Sequence, residues 1–128
     1  MFANKVVEYL NSNGGTVCVP NFRRKKAYKM QLTGAEVKVF DSDNVPPIPL
    51  TAFDKVEECL KNGIHKPGNG HHRLGDPELD ENTIMYHIGM DIFGKSIGDS
   101  ISDNACYIYA LLEAAECIIR KRGNISIR

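Results

Sequence analysis

The stretch Gly89–Ser100, GMDIFGKSIGDS, contains a literal G-x-x-x-x-G-K-S at Gly89, Gly94, Lys95 and Ser96. Its reading decides the fold. A phosphate-binding loop follows a strand and opens a helix at its Lys-Ser, so that backbone N–H groups and the helix N-terminus cradle phosphates. The chain would then be a parallel α/β protein. The flanking residues oppose this. In DENTIMYHIGMDIF (80–93), Ile84, Ile88 and Ile92 fall four apart, a helical period, with a cap near Asp80 or Asn82. After Ser96, Gly98, Asp99 and the cap-like Ser102 and Asp103 delay the next helix by several residues. Inside the loop stand Met90, Ile92 and Phe93, with Asp91, whose charge would repel a triphosphate. The sequence KVFD (38–41), which looks like a magnesium-binding strand end, precedes the loop instead of following it. The stretch therefore reads as a turn between two helices. A strand at 83–88 with a helix from Lys95 would reverse that reading.

On the C-terminal side, SISDNACYIYALLEAAECIIRKRG predicts the longest helix, over 102–121. Ser102 is its cap. Ile108, Leu111, Leu112, Ala115, Ile118 and Ile119 form a wide apolar stripe. Arg120, Lys121 and Arg122 fall at its end, where the helix dipole favours cations, and Gly123 stops it. NISIR then forms a short terminal strand.

On the N-terminal side, TAFDKVEECLKNG (51–63) predicts a helix with Thr51 as cap, Asp54 at the capping-box position and Phe53, Val56 and Leu60 as its stripe. NVPPIPL is a proline-stiffened connector. Residues 2–12 place Phe2, Val6, Tyr9 and Leu10 at helical spacing, and Asn13-Gly14-Gly15 ends that helix. Between them lie three strand-like runs. TVCVPNF is broken by Pro20, as edge strands are. RRKKAYKMQL alternates Ala27, Lys29 and Gln31 against Tyr28, Met30 and Leu32. AEVKVFDSD puts Val37 and Val39 on one face. These runs fit an antiparallel meander with one wet face.

The predicted fold class is thus α+β. An N-terminal helix and three-stranded antiparallel meander (1–44) lead through a proline connector (45–50) to a three-helix, winged-helix-like unit with a short C-terminal strand (51–128). The 128 residues form a single domain.

The 16 basic and 16 acidic residues cancel, which excludes a global polyelectrolyte. The basic charge is nevertheless clustered, in RRKKAYK (23–29) and RKRGNISIR (120–128), and such clusters focus a local field. No apolar run approaches the roughly 18 residues of a membrane span. Cys18, Cys59, Cys106 and Cys117 are scattered among apolar residues, with no C-x-x-C, and read as buried free thiols in a reducing, cytoplasmic setting.

Three functional readings follow. The first is a non-enzymatic binding protein that contacts nucleic-acid backbone through Arg23, Arg24, Lys25, Lys26, Lys29, Arg120, Lys121, Arg122 and Arg128. The second is a homodimer or protein-interaction module, with Tyr107, Leu111 and Ile118 of the helix 102–121 at the interface. The third is a metal-dependent enzyme using the polar loop His65–Asp80, in which His65, His71, His72 and Asp76 are the candidate ligands. No Ser or Cys nucleophile sits in a recognisable elbow, and no cofactor motif is present.

Overall fold

Phe2, Val6 and Leu10 recur at helical spacing, and all three are buried on helix α1 (Phe2–Ser12). The computed structural model describes residues 1–21, 26–40, 45–101 and 104–128. The chain reverses at Gly14 and Gly15, both in the left-handed region, and enters the meander. Strands β1 (Thr16–Asn21), β2 (Lys26–Thr33) and β3 (Glu36–Val39) pair antiparallel. In β2 and β3 the alternation sorts as expected: Tyr28, Met30, Val37 and Val39 point inward, whereas Ala27, Lys29 and Lys38 are exposed. In β1, Val17 and Val19 point inward, which turns Cys18 outward, so that it is exposed and not buried as expected.

The proline connector does more than link. Ile48–Pro49 pairs with β3 as a short edge strand, β4, giving a sheet of order β1-β2-β3-β4. Proline is tolerated there because an edge strand need not donate outward. Helix α2 (Thr51–Lys61) follows directly and buries Phe53, Val56, Cys59 and Leu60. Its cap differs from expectation. The cap residue is Leu50, itself helical, and no side chain bonds to the free amides. Asp54 and Glu57 serve another helix instead: their Oδ1 and Oε1 accept the N–H groups of Ala3 and Phe2, at 2.9 and 3.1 Å. Two acids of α2 thus satisfy amides that α1 cannot satisfy itself.

Residues 80–93 are helical, but not as one helix. A single turn, α3 (Ile84–His87), runs into a π-turn at Ile88–Ile92. Gly89 lies where a Cβ would come within 3.1 Å of Ile101 and 3.3 Å of Leu74, so a larger residue would make those side chains give by a few tenths of an ångström. Lys55 bridges the Glu58 and Asp91 carboxylates at 2.9 and 3.1 Å, tying α2 to this turn. Gly94 is left-handed and ends it, Ser96 N–H donates to Asp99 Oδ2 at 2.8 Å, and the next helix starts only at Asn104. No strand precedes the Gly-Lys-Ser and no helix opens on it. The expected caps Ser102 and Asp103 lie outside the described residues.

The largest departure is in the last 25 residues. Helix α4 ends at Ala114, not at 121. Glu116 adopts φ 62°, its N–H donates to Glu113 O, and Cys117 N–H donates to Leu112 O at 2.9 Å. This is a Schellman stop with glutamate where glycine is usual. The chain then forms a hairpin, β5 (Ile118–Lys121) and β6 (Asn124–Ile127), around Arg122-Gly123. Both turn residues have positive φ, 50° and 77°, as a tight two-residue hairpin of this twist requires. Arg120 and Lys121 are therefore strand residues rather than helix-end cations, and the single terminal strand is half of a hairpin.

The helices α1, α2 and α4 share one core with the inner sheet face, marked by the edge-on stack of Tyr28 against Tyr107 at 4.9 Å. The protein is mixed α+β, with a four-stranded antiparallel sheet and a separate hairpin.

Candidate functional site

The meander register places chemistry in rows on the outer sheet face. Cys18 stands opposite Lys29, and Thr16 opposite Gln31, which in turn faces Lys38. Phe40 follows β3, and its N–H donates to the Lys29 carbonyl at 2.9 Å. Its ring is 42% exposed, although a large aromatic ordinarily seeks the core. The ammonium groups of Lys29 and Lys38 lie 5.0 and 4.9 Å from its centroid, within cation–π range. Neither lysine makes an ion pair among the described residues. Arg23, Arg24 and Lys25 fall in the β1–β2 connection, outside the described residues, and Lys26 begins β2.

The second basic segment is arranged differently. Arg120 Nη2 lies 2.9 Å from Glu113 Oε1, and Arg128 Nη1 lies 3.8 Å from Glu116 Oε1. Lys121 and Arg122 are exposed at the hairpin tip, with no ion pair among the described residues.

The three residues expected at a dimer interface are inside the protomer. Tyr107, Leu111 and Ile118 are 3%, 0% and 1% exposed, because the sheet and hairpin cover the apolar faces of α4. The stripe read as surplus is consumed by the chain's own core.

The histidine loop is well anchored despite its polar composition. Leu74 and Leu79 are buried beneath it, and Tyr109 hydroxyl donates to the Pro67 carbonyl at 3.0 Å. Burial pushes the Tyr109 phenol well above its ordinary value. The histidines point to separate partners. His65 Nδ1 donates to the Ile125 carbonyl at 2.8 Å, and His87 Nε2 to the Glu81 carbonyl at 2.8 Å. His72 Nε2 meets Glu78 at 2.7 Å, with Asp76 at 3.9 Å from Nδ1. Among the described residues no three His, Cys, Asp or Glu side chains converge to hold a metal ion. Burial raises the Cys59 thiol to about 11 and also raises that of Cys117, the reverse of what a thiolate nucleophile needs. Among the described residues no helix is long and apolar enough to cross a membrane.

Lys38 and Phe40 are absent from the sequence-derived site. The signal was present: Lys38 shares the outward parity of its strand, and Phe40 continues it. No family model, curated protein or solved structure matches the chain.

Proposed function

We propose that the protein binds single-stranded nucleic acid on the outer face of its four-stranded sheet. The observation that carries this reading is Phe40, exposed on that face with the Lys29 and Lys38 ammonium groups over its ring and neither of them ion-paired among the described residues. Bases that are not paired stack on exposed aromatics, and lysines beside the ring follow the phosphates. Lys26 and Lys29, the end of the basic run Arg23–Lys29 in the sequence, belong to the same strand. A double-stranded target is less suited to the fold. The helix α4 is buried along Ala105 and Tyr107–Leu112 and so has no free face there to enter a major groove.

The test is a titration of a fluorescent single strand of about 12 nucleotides, a length within the range one such platform covers, at several salt concentrations. Binding should weaken steeply with salt, and Lys29→Ala with Lys38→Ala should reduce the log–log slope by about 1.4. Bound strand should also slow alkylation of Cys18, which is exposed on the same face beside Lys29. Absent binding, or binding with an unchanged slope and an unprotected Cys18, would refute the proposal.

A further inference from the structure

Two clefts of about 540 and 570 Å³ adjoin between the histidine loop and the β5–β6 hairpin, and both are lined by Lys66, Asn82 and Asn124. They form one groove, and its walls are fixed by the backbone. His65 and Ile125 are joined twice: Ile125 N–H donates to the His65 carbonyl, and His65 Nδ1 to the Ile125 carbonyl, each at 2.8 Å. The Lys66 and Pro67 carbonyls accept from Ile84 and Met85 N–H, and Tyr109 holds Pro67 from below. On the other wall, Arg122 is set by the tight hairpin turn. A groove with such walls loses little freedom on binding.

Polar groups in this groove divide into engaged and unengaged. One carboxylate oxygen of Glu78, Oε2, meets both His72 and Asn69, and one of Asp80, Oδ1, accepts from the Asn82 N–H. The side chains of Lys66, Asn82, Arg122 and Asn124 make no hydrogen bond or ion pair among the described residues. Two cations and two carboxamides thus line the groove without protein partners, beside an Asp80 that retains an accepting oxygen. Arg122 also sits at φ 50°, a conformation that costs an ordinary side chain about 1 kcal/mol and that Asn or Gly would adopt more readily. Strain of this kind accumulates at binding sites.

We propose that this groove binds a small sugar phosphate. Lys66 and Arg122 receive the phosphate through charge-assisted hydrogen bonds. Asn82, Asn124 and the free oxygen of Asp80 meet the hydroxyls, for which a mixed donor and acceptor set is suited. A simple dianion would leave that second set unused and would face the Asp80 charge. The inference is independent of the sheet-face reading and uses none of its residues.

The test follows backbone amides of the full chain by NMR during separate titrations with ribose 5-phosphate, ribose and inorganic phosphate. Ribose 5-phosphate should give saturable shifts at Lys66, Asn82 and 122–126, with a dissociation constant at or below about 1 mM. Inorganic phosphate should bind more weakly at the same amides, and ribose should not saturate. Arg122→Gly supplies a control that a structural role cannot mimic: the protein should become more stable while its affinity drops about tenfold. Absence of saturation by ribose 5-phosphate, equal affinity for inorganic phosphate, or undiminished affinity in Arg122→Gly would overturn the proposal. So would groove shifts that appear with a 5′-phosphorylated oligonucleotide but not with ribose 5-phosphate, since they would assign the groove to a strand end.

Discussion

On β2 and β3, Lys29 and Lys38 lie over an exposed ring and meet no carboxylate among the described residues, whereas on the C-terminal hairpin Arg120 and Arg128 each face a glutamate. In the sequence the two regions look alike: short basic runs beside β-branched residues. In the fold they differ in where α4 ends. Its last turn brings Glu113 and Glu116 to the hairpin, so half of that basic charge is compensated locally. On the sheet face Lys29 and Lys38 are exposed and make no ion pair among the described residues. Lysine and arginine density therefore says less about a binding surface than which acids the topology brings alongside.

The comparison can be broken most forcefully from the core. Leu111→Ala should destabilise the protomer by about 3 kcal/mol, as deletion of a fully buried leucine does. Urea midpoints should not depend on protein concentration; a marked dependence would return Leu111 to an intermolecular contact. The two basic regions can be set against each other next. Lys29→Ala with Lys38→Ala should weaken single-strand binding by about tenfold or more at low salt, and Arg120→Ala with Arg128→Ala by much less. Equal losses would erase the distinction drawn here. The helix stop is a smaller effect. Glu116→Gly should stabilise the fold by about 1 kcal/mol, since glycine suits the left-handed position and the exposed Arg128 pair it removes contributes little. A loss of stability would mean that the pair outweighs the strain.

A further effect is alkaline. The Cys59 thiol is raised by burial from 9.0 to about 11, so the folded state holds its proton where the unfolded state releases it. That contribution is complete below pH 9 and is lost as pH rises toward 11, and Tyr109 acts in the same direction. Chemical denaturation between pH 8 and pH 11 should show declining stability, and Cys59→Ala should shallow the decline. A flat profile would show that these groups titrate alike in both states.

The first half of the chain was legible because its signals are local. Alternation in 27–32 and 36–39 specifies which side chains face inward, and Gly14-Gly15 stops the first helix. The second half hides its boundary in Glu116. LLEAAECII is helix-favouring throughout, and only tertiary packing forces glutamate into a glycine conformation. Ile118 and Ile119 before Arg122-Gly123, with Ile125 and Ile127 after it, were the available hint of a hairpin. The loop His65–Asp80 looks uniformly polar, yet Leu74 and Leu79 hold it down. For the candidate site, strand parity made Lys29 readable. The groove lined by Lys66, Asn82, Arg122 and Asn124 was not readable, because it joins residues up to 58 positions apart in sequence.

The bonds from Asp54 and Glu57 to the first amides of α1 also bear on the order of assembly. They span 51 and 55 residues of sequence. During synthesis α1 emerges first, but at 11 residues it is too short to persist alone in water. Its amide caps become available only when α2 has been made. The opening helix is thus a late-docking element, stabilised when the middle of the chain arrives.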